Sequence, residues 1–304
     1  MKKRNWEEES PKKILSGAGF ALFVLALIFI LSQGAISLLV DRYAPELSHT
    51  DWYAWALTGV SIILLGLPVY LLLMKRIPDS GRGEVVKLKF TEFIVIFFIT
   101  AAAMYITSMM SSVITVLIAL LKGDTHLINP AQEAILHSNY ALSLLYACII
   151  APITEEFIFR KVLLDKLKRF GDIPAILMTG IAFGLFHMNL SQFFYAAVLG
   201  FIFAYLTIRT NTVRYAILLH MMVNTISTGI SPFVLKGNKL AGVFLTMWVF
   251  IAILLGIIFF SLNIKKIVFE KKEPLVAVKD YYTNAGVICY GLVCIIMIGI
   301  ITIR

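Results

Sequence analysis

Nine apolar runs, divided by short polar stretches, confine this chain to one kind of fold: helices that cross a lipid bilayer repeatedly. Hydrocarbon offers no water to an exposed N–H or C=O, so each run must satisfy its own backbone, and a helix does this within the segment. Taking about 20 apolar residues as the length that crosses a hydrocarbon core, spans are expected near 14–40, 52–74, 93–121, 140–164, 173–188, 193–208, 215–230, 243–262 and 285–303. The fifth, sixth and seventh are short, which predicts tilted or partly buried helices around a cavity. Of 304 residues 60% are hydrophobic and 15% charged, with a mean hydropathy of +0.88, far from a soluble domain. The expected architecture is all-α, one integral membrane domain over 1–304. The longest inter-span segments, 75–92 and 263–284, are too short to fold alone. The first run is too long for a signal-peptide core and lacks a small-x-small cleavage pattern, so it reads as a retained span. Segment 129–138, with Pro130 near its start, suits either a short interfacial helix or a solvated loop.

The net charge of +9 is distributed as topology requires. The segments before the first span and after every second one, counting Arg160 and Lys161 at the end of the fourth span with the segment that follows it, hold 22 of the 27 lysines and arginines, and the alternate segments hold 5. Cytoplasmic loops are the basic ones, so the N-terminus is expected inside and the C-terminus outside. No basic stripe with interleaved aromatics exists, and a nucleic-acid partner is not expected. Cys148, Cys289 and Cys294 all lie in apolar runs, without metal-type spacing or a disulfide pattern.

Glu155 and Glu156 are adjacent carboxylates inside the fourth run, where an uncompensated charge costs roughly 2.5–3.5 kcal/mol or more. Arg160 stands four residues after Glu156, on the same helical face, and can neutralise it; Glu155 points about 100° away and is left for other work. His187 lies on the next span, four residues after Phe183. His220 and Asn224 share the same spacing two spans later. At 1.5 Å per residue, Glu155 lies about 16 Å, His187 about 20 Å, Asn224 about 15 Å and His220 about 9 Å from the cytoplasmic ends of their helices. Matching depths on three helices predict a single buried site. A carboxylate freed from a neighbour's charge suits a general base.

Plainer readings exist for each residue. A transmembrane histidine can be a helix–helix hydrogen-bond partner, and Asn224 can be interhelical glue. Glu156 with Arg160 can be a purely structural ion pair, and Phe183 reads as packing. Cys148 sits seven residues before Glu155, on nearly the same face, which permits a thiol nucleophile, but nothing near it in sequence would activate the thiol and packing is the better reading.

Glu155-Glu156-Phe157-Ile158-Phe159-Arg160 fits an EExxxR pattern, Phe183-Gly184-Leu185-Phe186-His187 an FxxxH pattern, and His220-Met221-Met222-Val223-Asn224 an HxxxN pattern. In this order on successive spans they resemble the CAAX prenyl endopeptidase and bacteriocin-processing (CPBP, or Abi) family of intramembrane proteases, over about 140–230. The resemblance implies a helical endopeptidase whose site opens to the cytoplasmic side. It implies that Glu155 and His187 activate a water, that His220 and Asn224 stabilise the oxyanion, and that Glu156 and Arg160, with Phe183, support the frame. The family is commonly called a metalloprotease family, and Glu155, His187 and His220 would suffice as three ligands for Zn2+. The glutamate-activated water needs no metal, and the chain has no HExxH helix.

The rival from another class is a membrane protein that does not cut: a transporter using the same residues as a proton relay, or an immunity or scaffold protein that binds a peptide or partner. A transporter would be expected to show internal repeats and broken helices in corresponding halves, and neither is visible. The substrate is a peptide or lipidated protein of unstated identity. Compact size and short loops suit a multi-pass protein of a bacterial plasma membrane.

Overall fold

A computed structural model describes residues 10–81, 83–123, 130–271, 276 and 278–303. The elements are α1 (Pro11–Tyr43), α2 (Tyr53–Met74), α3 (Phe90–Lys122), α4 (Pro130–His137), α5 (Tyr140–Phe170), α6 (Asp172–Phe186), α7 (Leu190–Thr210), α8 (Arg214–Leu235), α9 (Lys239–Asn263), α10 (Val278–Tyr282) and α11 (Ala285–Ile303). Among the described residues eight helices are long and apolar enough to span a membrane, and α6, at 15 residues, is a ninth, shorter apolar helix. The expected polytopic all-α fold is thus borne out. Of the two readings left open for 129–138, the short helix is the one found, as α4, with Asn129 outside the described residues.

The sixth and seventh spans are longer than expected: α7 has 21 residues and α8 has 22. Hydropathy truncates both because a polar residue at one end of each, Gln192 on α7 and Ser231 on α8, faces a cavity. The polarity ends the apolar run without ending the helix.

Two polar layers close the bundle. On the basic side, Asp172 at the start of α6 accepts from Arg209 near the end of α7 and, at 2.7 Å, from the backbone N–H of Glu270 in the crossing between α9 and α10. The α2–α3 connection is stitched beneath: Lys166 meets Asp79 at 2.6 Å, Ser80 N–H donates to the Asp165 carbonyl at 2.9 Å, and Val86 N–H to that of Thr210 at 3.0 Å. On the opposite side, Trp55 Nε1 donates to Ser143 Oγ at 3.1 Å, Asn139 N–H to the Asp51 carbonyl at 3.0 Å, and Tyr140 Oη to the Gly229 carbonyl at 2.9 Å. Helix ends alternate between these layers as the charge count requires. Arg160 is the exception: fully buried, it belongs to the core and not to the basic rim.

With little hydrophobic drive between helices in lipid, close approach depends on small residues. α6 and α7 form an antiparallel hairpin whose backbones touch at Gly180 and Gly200; a Cβ built on Gly200 would stand 2.6 Å from Gly180 Cα. Gly200→Val is expected to pry the hairpin apart, at a cost of about 1–3 kcal/mol or more, read as a lower thermal midpoint of the purified protein. Gly242→Val, where nothing lies within 4 Å, serves as the unaffected control.

Candidate active site

The helix carrying both glutamates does not run as a continuous α-helix. Two π-helical stretches, Tyr146–Ile150 and Phe157–Leu163, flank the α-helical turn Ala151–Glu156. Such widened turns recur at functional sites because they re-aim side chains and release backbone groups. Here the cause is visible in the sequence. Ala151 N–H bonds back five residues to the Tyr146 carbonyl, and the next residue in that ladder, Pro152, has no N–H to give Ala147. Asn224 Nδ2 on α8 donates to the Ala147 carbonyl instead, at 2.8 Å.

Glu156 and Arg160 lie 3.0 Å apart with both side chains 0% exposed. The same oxygen, Oε1 of Glu156, also lies 3.0 Å from His220 Nδ1. A carboxylate accepts, so Nδ1 carries the hydrogen and Nε2 is turned the other way, 3.7 Å from Glu155 Oε2. Glu156 therefore positions His220 as well as neutralising Arg160, a link between residues 64 apart that no helical spacing predicts. Arg160 lies 4.3 Å from the ring centre of Phe183 and 5.4 Å from that of Phe203. Its Nε and Nη2, like Glu156 Oε2, have no hydrogen-bond partner, so ring faces take the place of acceptors around the guanidinium. Phe183 is packed in the core, and it also touches both histidine rings edge-on, at 4.9 Å from His187 and 5.8 Å from His220.

His187 caps the C-terminal end of α6. Its Nδ1 is 3.0 Å from the Phe183 carbonyl, which can only accept, so the neutral ring presents Nε2 as an acceptor. The turn that follows is held by residues that sequence reasoning passes over. Met188 adopts a left-handed φ of 54°, and Asn189, 3% exposed, donates to the His187 carbonyl at 2.9 Å and accepts from the Gln192 N–H at 2.9 Å. Gln192 Nε2 in turn donates to Tyr195 Oη at 2.8 Å. A signal for them exists: an asparagine and a glutamine three apart, directly after an intramembrane histidine, form an N-cap pattern at bilayer depth.

Glu155, His187, His220 and Asn224 line one cavity of about 620 Å³. Glu155 is partly exposed to it at 19% of its side chain, while Glu156 is sealed behind. Helices α5, α6 and α8 thus bring these four residues to one place. Cys148 is buried as a packing residue. The walls rise past Tyr146, Ser231 and Leu235 to Trp55, Gln33 and Gln132, all in the halves of their helices away from the basic layer or, for Gln132, in α4 on that side. The lining thus extends from the four residues toward the helix ends that lie away from the basic layer.

Among the described residues no three His, Cys, Asp or Glu side chains gather closely enough to hold a metal ion. Each imidazole binds through Nδ1, His187 to the Phe183 carbonyl and His220 to Glu156, which leaves Nε2 as its one nitrogen for a ligand or a proton. As arranged, Glu155, His187 and His220 do not form the three-ligand set for Zn2+ that the resemblance allowed.

Residues 137–226 match the family of Rce1-like type II CAAX prenyl endopeptidases. The "Putative membrane peptidase YdiL" of Bacillus subtilis (strain 168) is 34% identical over 85 residues, 28% of this chain. The aligned stretch covers 35% of that relative's length. No solved structure matches. The family match falls on α5 to α8, the helices that carry the three motifs, and bears out over that segment the resemblance to the CPBP proteases.

Proposed function

We propose that the chain is an intramembrane endopeptidase that hydrolyses a peptide bond with a water activated by Glu155 and His187. What carries this reading is the pairing of a partly exposed carboxylate with a ring nitrogen of fixed orientation, Glu155 Oε2 and His220 Nε2 at 3.7 Å, on the floor of a cavity inside the bundle. That separation is too long for a direct hydrogen bond and leaves room for a water or a substrate oxygen set to one side of both.

Glu155 takes one proton of the water as its oxygen attacks the peptide carbonyl carbon, and His187 Nε2 accepts the hydrogen bond from the other. The carbonyl oxygen gains the negative charge. His220, when it carries a proton on Nε2, donates to that oxygen, and so does the Asn224 N–H that Ala147 does not use. Glu155 then hands its proton to the leaving amine as the C–N bond breaks. Glu156 and Arg160 touch neither water nor peptide; they keep His220 aimed. The immunity or scaffold alternative would use the same cavity for binding without turnover.

The test is a purified, lipid-reconstituted preparation offered a library of quenched fluorescent peptides. Cleavage is expected, and binding of peptides without any product would overturn the proposal in favour of the scaffold reading. The donor arrangement further predicts that a strong chelator leaves the cleavage rate unchanged. A rate lost to chelator and restored by added Zn2+ would instead require the rings and Glu155 to close around an ion.

A further inference from the structure

We infer that substrate reaches this site from the side of the membrane opposite the basic loops, and that it is an extended, uncharged stretch of polypeptide already across the bilayer or anchored at its outer face. That the incoming chain is a substrate rests on the endopeptidase reading; the direction of approach rests on geometry together with the distribution of basic residues.

Three observations fix the direction. The basic layer, which the charge rule makes cytoplasmic, gathers the ends of α2, α5 and α7 and the starts of α3, α6 and α8, and even without Arg160 it holds most of the described lysines and arginines. The cavity is lined by the opposite ends: Gln33 is more than six helical turns above the start of α1, Trp55 is in the first turn of α2, and Ser231 and Leu235 are in the last turns of α8. Between the site and the basic layer the bundle is solid. Arg160, Phe159, Leu163 and Leu167 on α5 and Phe203 on α7 are 0% exposed. A peptide approaching from the cytoplasm would have to displace this core and the Glu156–Arg160 pair with it; from the other side it meets an open mouth.

The lining limits what can enter. Among the described residues around the cavity there is no lysine, arginine or aspartate, and Glu155 is the one glutamate. Above it stand amides, hydroxyls and aromatic rings, including Gln33, Gln132, Gln192, Ser231 and Trp55. Side chains of this kind exchange hydrogen bonds with a peptide backbone, whereas a charged side chain passing through would find no counter-ion until it reached Glu155. The volume of about 620 Å³ is that of a pocket for a ligand of modest size, so a short extended segment fits and a folded domain does not. Substrates of this kind must be supplied by a translocation or membrane-insertion step, not released from the cytoplasm.

The experiment uses the full chain in sealed membrane vesicles of both orientations. Single variants Lys236→Cys, beyond the end of α8, Glu84→Cys, in the basic layer, and Ser231→Cys, in the cavity wall, are exposed to a membrane-impermeant maleimide, with the wild type as the blank for the three native cysteines. Right-side-out vesicles should label Lys236→Cys and Ser231→Cys, and inside-out vesicles Glu84→Cys alone. An impermeant peptide that wild type cleaves in detergent should be cleaved in right-side-out vesicles and spared in inside-out ones. Cleavage confined to inside-out vesicles, or labelling of Ser231→Cys from that side only, overturns the inference while leaving the endopeptidase reading intact. Absence of cleavage in detergent sinks that reading instead, and the maleimide pattern still decides the direction.

Discussion

Glu155→Gln is expected to cut peptide cleavage by about 10²–10⁴-fold, the range that a positioned general base contributes, while the protein folds and inserts as before. The substitution keeps the shape of the side chain and removes its ability to take a proton. Glu155 is the carboxylate outside the frame: Glu156 alone holds Arg160 and His220 Nδ1, so the variant leaves that frame intact. Initial rates on a cleavable peptide, alongside thermal midpoints in detergent, separate the two effects. A variant that keeps wild-type turnover would remove Glu155 from the chemistry, and one that no longer folds would move it into the frame.

The second large effect is expected at the buried pair. Arg160→Met should destabilise the protein by about 3–5 kcal/mol, the usual consequence of leaving one member of a buried ion pair without its partner. Glu156 would retain only His220 Nδ1, its other oxygen being unpartnered already. Pairing the change with Glu156→Gln should recover most of the lost stability, because the double variant buries no charge and the carboxamide oxygen introduced at that position can still accept from His220. The comparison is a double-mutant cycle on thermal midpoints. Additive losses would mean that the two side chains do not act as a unit. Arg160→Lys is expected to behave more like the methionine variant than like wild type, since an ammonium cannot match a planar guanidinium lying against the face of Phe183.

What is legible in the sequence follows short-range rules. Apolar length and the asymmetry of lysine and arginine yield the spans and their alternation, and helical spacing yields the Glu156–Arg160 pair. The same spacing puts Phe183 against His187 and Asn224 one turn beyond His220. The partner of each polar atom across helices is out of its reach. The bond from His220 to Glu156 and that from Asn224 to the Ala147 carbonyl depend on how α5 and α8 cross, and no periodicity within either helix encodes that crossing. The lengths of α7 and α8 escape hydropathy for a related reason: it cannot separate a glutamine in a loop from a glutamine that faces an internal cavity. The expected side of the cavity's opening comes from the resemblance alone. The polar residues Asn189, Gln192, Ser227 and Ser231 lie toward the less basic side, and it is on them that the direction proposed above rests.

Pro152 gives the segment around Glu155 an unusual dependence. An unbroken helix is self-supporting, each turn braced by the next, but here one rung is missing and the brace comes from a side chain 77 residues further along. The placement of the acid is thereby tied to the neighbouring helix, and any tilt of α8, whether from a bound peptide or from a thinner bilayer, would be felt first at Ala147, about two turns before Glu155.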